Sequence, residues 1–238
     1  MPRPGQADAR GRWSVRARLG RRRGAPVHRQ DRYALVLGLL VINYLGGVFP
    51  TGTAGTAFRL VVFAVTLLLA VRTSHVHRRT ARLVAAFTVL GTVAVAILIA
   101  SGAGALGIGV LNAWMSVVVF VTILVIVRRV LAHQVVTGNT IFGALSAYLL
   151  IGFMFGAIYG AMVKLDPTPF FTSGEPAGTD VLQYFSFTTL TTLGYGDFTA
   201  ATNAGRSLAV LEALLGQIFL VTLVARLVSA FQPGARDQ

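Results

Sequence analysis

The sequence predicts an all-α membrane protein, with six transmembrane helices plus a shorter re-entrant helix and an extended loop. Three observations carry this. The chain has 238 residues, of which 55% are hydrophobic and only 12% charged, whereas soluble chains carry roughly 25% charge. Its apolar stretches reach or approach the roughly 20 residues that cross about 30 Å of hydrocarbon. Its basic residues gather in alternate connections, as they do when positive charge holds loops on the cytoplasmic side.

Residues 1–32 contain ten of the 21 basic residues and no apolar run. Without an apolar core the segment is not a signal peptide. It is expected to be a disordered basic cytoplasmic tail that sets orientation and attracts anionic lipid, at about 1 kcal/mol per basic residue near the surface. Spans are expected at 33–48, 58–71, 83–100, 106–127, 141–163 and 208–231, giving a four-helix domain over 33–131 and a second domain over 132–238. The apolar stretch 181–193 is too short to span. It reads as re-entrant, a form that survives at membrane depth only when protein or water surrounds it.

With the amino terminus inside, the loop bearing Arg72, Arg78, Arg79 and Arg82 is cytoplasmic. So are the loop after Arg128 and Arg129 and the end bearing Arg226 and Arg236. Only Arg59, Lys164 and Arg206 fall outside. This supports a multi-pass protein of the plasma membrane with both termini in the cytoplasm.

Several function classes are set aside. The net charge of +13 is spread over topology signals rather than one face, so nucleic acid is not an expected partner. The absence of cysteine removes disulfides and thiolate metal sites. No carboxylate pair, Ser-His-Asp set or phosphate-binding glycine loop is present, so neither an enzyme nor a cofactor is expected. His75 and His77 read as solvated loop histidines, and His28 and His133 carry no further signal.

The informative segment begins at Asp180, which can cap a helix with Gln183 three residues on. That helix carries Tyr184, Phe185 and Phe187 and ends near Thr191. The chain continues as Thr192-Leu193-Gly194-Tyr195-Gly196-Asp197. The two glycines permit backbone angles that other residues resist. An extended strand with alternating glycines can turn successive carbonyls to one side. Four copies around an axis would then stack rings of oxygens that replace the water shell of a cation. The helix would add the negative end of its dipole.

The segment TTLGYGD, with the preceding Tyr184-Phe185-Ser186-Phe187-Thr188-Thr189-Leu190, resembles the signature of the potassium-channel family. Within that family the chain looks like the bacterial six-span, single-pore-loop type without a voltage-sensor arginine array. The resemblance implies that residues 132–238 form a pore domain with outer helix, pore helix, selectivity filter and inner helix. With one filter copy per chain, a fourfold site requires four chains, this one and three identical subunits, around a central pore. The carbonyls of Thr192, Leu193, Gly194 and Tyr195 and the Thr192 hydroxyl would hold potassium ions, with Gly196 completing the filter. Thr191 and Asp197 would support it, Asp197 at the extracellular mouth. The Tyr195 side chain would enter an aromatic cuff with Tyr184 and Phe185. Gly216 would be a gating hinge. The sequence departs from the family at Leu193, where valine is commonest, and at Thr188, where many relatives have glutamate.

Glu212 lies inside the last span, where an ionisable residue costs a few kcal/mol to insert. It is expected to sit behind the filter on the Thr188 or Thr189 hydroxyl, replacing the carboxylate missing at 188. Gly152, Gly156 and Gly160 form a stripe at spacing four that lets another helix approach closely, with the last helix as the expected partner. The fourth span has no basic residue over 106–127, and no acidic residue lies between Arg32 and Leu165. Weak voltage dependence follows, since gating charges must move through the field. The chain ends seven residues after Phe231, so no cytoplasmic ligand domain is expected there. The functional expectation is a potassium-selective channel subunit. The alternatives are a weakly selective cation channel, and a potassium transporter or non-conducting regulatory subunit.

Overall fold

The computed structural model describes residues 33–46, 65–69, 86–91, 93–94, 97–98, 100–102, 104–132 and 138–231. The basic tail, most of the second span and the loop with His75 and His77 lie outside the described residues. The third span is described only in helical pieces. Five helices are complete enough to name: α1 (Tyr33–Leu45), α2 (Gly104–Ala132), α3 (Gly138–Leu165), α4 (Thr179–Leu190) and α5 (Asn203–Phe231). Among the described residues, three helical stretches are long and apolar enough to cross a membrane: Gly104–Leu131, Gly138–Leu165 and Asn203–Ser229. The protein is therefore a helical membrane protein. The remaining expected spans are not established by this measure, α1 being a shorter apolar helix.

Each long helix extends beyond its apolar signal. α2 runs on through Arg128 and Arg129. α5 begins five residues before its expected start at 208 because Thr202 caps it. The Thr202 hydroxyl accepts the Gly205 amide at 3.1 Å, satisfying one of the unpaired donors of a first turn. At the other end of α5, the Arg226 guanidinium donates to the Leu131 carbonyl at 3.3 Å, placing a cation at the negative end of α2.

The core is built from helical stripes. Tyr33, Val36 and Leu40 on α1 and Val119, Ile123, Ile126 and Val130 on α2 are buried at spacings of three and four, so each set lines one helix face. α3 lies between them and α4, burying Ala144, Ala147, Ile151, Met154, Phe155 and Tyr159. Its glycine stripe does not serve α5, the partner expected from sequence. A Cβ on Gly152 would stand 2.8 Å from the Phe187 ring, one on Gly156 would stand 2.9 Å from the Gln183 amide oxygen, and one on Gly160 would meet Asn112 of α2 at 3.2 Å. The stripe is the seat of the re-entrant helix and, one turn on, of α2.

The connection from α3 to α4 is tied down rather than loose. Asp166 accepts the Thr168 amide at 2.9 Å and its hydroxyl at 2.8 Å, and these bonds hold the carboxyl below the usual carboxylate range. Phe171 forms an antiparallel bridge with Ala200, closed by Thr172 N–H to Thr199 O at 3.0 Å and Ala201 N–H to Phe170 O at 2.8 Å. Arg206 of α5 donates to the Ala200 carbonyl at 2.9 Å. The loops before α4 and after the TTLGYGD segment are thus one unit.

Candidate functional site

α4 delivers the TTLGYGD segment. It begins two residues earlier than the capping box predicts, with Gly178 rather than Asp180 at the N-cap position and no side-chain cap bond. Asp180 then falls in the first turn, where its charge still suits the positive helix end. Gln183 is released from capping and donates instead to the Gly152 carbonyl at 3.1 Å. Phe185 is buried against Tyr159, Phe170 and Phe171, with ring centroids 5.2, 5.8 and 5.5 Å away. Such edge-to-face sets fix orientation as well as burying area.

At its carboxyl end α4 passes into an unusual backbone. Thr192 (φ 56°), Gly194 (φ 49°) and Gly196 (φ 82°) occupy the left-handed region, with Leu193 and Tyr195 between them outside it. The glycines enter it freely. Thr192, a β-branched residue, does so at a cost, and sequence reasoning assigned that conformation to the glycines alone. Alternation of hand along a chain turns successive peptide planes so that their carbonyls align.

The hydrogen bonds agree with that geometry. The Leu193 and Gly194 amides both donate back to the Thr188 carbonyl, at 2.8 and 3.1 Å. Thr191 N–H donates to Phe187 O at 3.1 Å, and Thr192 N–H to Thr189 O at 2.9 Å. Among the described residues, no hydrogen bond ends on the carbonyl of Thr192, Leu193, Gly194, Tyr195 or Gly196. The segment is exposed in a single copy, so these oxygens are open to an outside partner, water or a cation. At the inner end the Thr192 hydroxyl accepts from Gln217 of α5 at 3.1 Å. At the outer end Asp197 accepts from the Tyr184 phenol at 2.7 Å and from the Phe198 amide at 3.0 Å. The Asp197 bond, some desolvation and the neighbouring charge push the Tyr184 phenol up to about 12. The phenol therefore keeps its proton at ordinary pH, and the tie is lost only as pH rises through that value.

Other expected residues fall as follows. Thr191 donates its hydroxyl to Phe187 O at 2.7 Å, and Thr188 to Phe185 O at 3.0 Å, so both close the end of α4. Tyr195 is 69% exposed. Within the chain the Tyr184 ring meets Phe198 at 5.9 Å, so the cuff expected of Tyr184, Phe185 and Tyr195 is not closed by these three rings alone. Gly216 lies within an unbroken α5, where a Cβ would stand 2.4 Å from the Leu190 carbonyl oxygen. The position is occupied by the end of α4.

Glu212 is fully buried, but it does not bond the Thr188 or Thr189 hydroxyls. Its carboxyl meets Ser186 of α4 at 2.5 Å and Tyr159 of α3 at 2.7 Å. The face of α4 turned to α5 carries 186 and 190, one turn apart, rather than 188 and 189. Sequence reasoning missed Tyr159, Ser186 and Gln217, and also Tyr148, whose phenol donates to the Leu190 carbonyl at 3.3 Å. Their common signal is a polar group in an apolar helix, which must find a partner when buried.

Residues 145–232 match a family model described as ion channel. The match covers most of α3, all of α4, the TTLGYGD segment and α5. The protein thus carries a region similar to ion channel domains, in a chain with apolar helices suited to a membrane. Neither the curated proteins nor the solved structures contain a match to the chain.

Proposed function

We propose that this chain is one subunit of a homotetrameric, potassium-selective channel that conducts passive potassium flux across the plasma membrane. The carrying observation is the row of unpaired carbonyls from Thr192 to Gly196, on a backbone that alternates in hand. Four such rows around an axis would offer a dehydrated potassium ion successive rings of oxygen in place of water. Thr192, Leu193, Gly194 and Tyr195 are the proposed ligands, with the Thr192 hydroxyl at the inner end. The Thr188, Asp197 and Gln217 bonds hold the segment at its back and at both ends. The carboxyl end of the α4 dipole adds negative potential below the filter.

Assembly has its own support. Leu193 and Tyr195 are exposed, as is a run along α5 that includes Val210, Leu214, Ile218, Val221 and Val228. Neighbouring copies and lipid would cover these surfaces. Voltage dependence is expected to be weak, because the first basic residues of α2 are Arg128 and Arg129 near its end. With the amino terminus inside, Asp197 faces the exterior.

The test is reconstitution of the purified protein in vesicles with an outward potassium gradient. The expected result is potassium flux without valinomycin, blocked by barium, with no sodium flux. Equal sodium and potassium flux would replace this reading with a weakly selective cation pore. No flux in a correctly assembled preparation would leave a non-conducting membrane subunit.

A further inference from the structure

Three oxygen–oxygen contacts meet in the closed space between α3, α4 and α5. Tyr159 Oη lies 2.7 Å from Glu212 Oε2. Ser186 Oγ lies 2.5 Å from Glu212 Oε1 and 2.7 Å from the Gly152 carbonyl oxygen. Tyr159, Ser186 and Glu212 are each 0% exposed. Each contact requires one proton, because two oxygen lone pairs at such distances repel. The tyrosine and serine hydroxyls supply one each. The carbonyl of Gly152 has none to give, so the third can only come from the carboxyl.

We infer that Glu212 is carried as a neutral carboxylic acid that donates to Ser186, and that this acid is the positioning residue joining the re-entrant helix to both spanning helices. One arrangement satisfies every contact. Glu212 Oε1–H donates to Ser186 Oγ, Ser186 donates to Gly152 O, and Tyr159 donates to Glu212 Oε2. The Gly152 carbonyl also takes Gln183, so α4 is fastened to α3 twice at one oxygen. Among the described residues no cation pairs with the carboxyl. The titratable groups facing it are Tyr159 and, farther off, Tyr148, both from α3. A charged carboxylate there would have hydroxyl donors but no cation to compensate it, and Ser186 Oγ would face either it or the Gly152 oxygen without a proton, whereas a neutral acid satisfies all three contacts.

The clasp acts on the filter through geometry. Glu212 meets Ser186, and one turn further along both helices Gly216 meets Leu190. α4 and α5 thus advance in matched register, and Gln217 reaches Thr192 just beyond. A carboxylic acid held at 212 keeps that register, and with it the height at which the first filter carbonyl is presented. Only this last link rests on the potassium-channel reading.

The test uses the full chain in lipid. Infrared difference spectra of wild type against Glu212→Gln should show a protonated-carboxyl carbonyl band in neutral buffer that the variant lacks. A carboxylate band in its place would overturn the inference. Glu212→Gln, which keeps one donor and one acceptor, should retain potassium flux within about twofold, whereas Glu212→Leu should lose about tenfold, the factor that one buried hydrogen bond is worth. Equal loss in both variants would also overturn it. Thermal unfolding of the same variants reads the clasp without any flux. Should the protein not conduct, the infrared band and the ranking of the two variants still decide, separately from the channel reading.

Discussion

α3 and α5 are equally apolar helices of 28 and 27 spanning residues, yet 56% of the most apolar window of α3 is buried within the chain against 11% for α5. α3 spends its apolar surface on the fold: α1, α2 and α4 all rest on it, and its glycines let α4 in to side-chain contact. Among its described side chains, α5 buries Gly205, Glu212 and Gly216 alone, positions seven and four apart that form one narrow line. Two of the three are glycines and the third is the acid of the clasp. The rest of α5 is apolar surface that a single copy leaves uncovered, and patches of that extent mark contact with other proteins or with lipid. Hydropathy reports the environment a helix ends in, without distinguishing whether the chain itself or something outside it supplies that environment.

The comparison can be broken by methyl-sized changes on each surface. The largest effect is expected for Gly216→Ala on the buried line of α5. Its Cβ would stand 2.4 Å from a backbone oxygen of Leu190, which cannot swing aside. Overpacking of this kind costs about 1–3 kcal/mol, to be seen as a lower unfolding midpoint in detergent together with loss of flux. Gly152→Ala on α3 should cost less, about 1 kcal/mol. The obstacle there is the edge of the Phe187 ring at 2.8 Å, and a ring can turn. The smallest effect on folding belongs to Val221→Ala, 66% exposed on α5, within about 0.5 kcal/mol of wild type. Under the proposed assembly, cross-linking should nonetheless show less tetramer, since the methyl groups removed would then face a neighbouring copy. If Val221→Ala unfolded the chain as readily as Gly216→Ala, the contrast between a line and a surface would fail.

Much of this was legible in the sequence, for definite reasons. Apolar length located α2, α3 and α5, because crossing hydrocarbon demands it. It misplaced their ends, because a helix continues through polar residues such as Arg128 or the first turn at Asn203 as long as its backbone bonds do. The TTLGYGD segment was legible because its glycines sit where the backbone needs them. The φ of Thr192 was not, since nothing in threonine announces a left-handed conformation. That Glu212 must find partners followed from burial of a polar group in a span. Which partners depended on the rotation of α4 about its own axis, and a helix of 12 residues with polar groups at 183, 186, 188 and 189 offers more than one face. The glycine stripe likewise announced a close neighbour without saying which.

The bond from the TTLGYGD segment to α4 has a consequence for how such a protein can vary. Leu193 and Gly194 are held through their amides to the carbonyl of Thr188, a connection made entirely by main chain. Side-chain replacement at 188 leaves it standing, so the segment keeps its backing whatever side chain stands there. At 193 any residue with an amide hydrogen preserves the tie, and proline alone cannot. Mutation has little purchase on this part of the site. Heritable change is directed instead to the side chains around it, at Tyr184, Ser186, Glu212 and Gln217, where a single codon can loosen or retune the same segment.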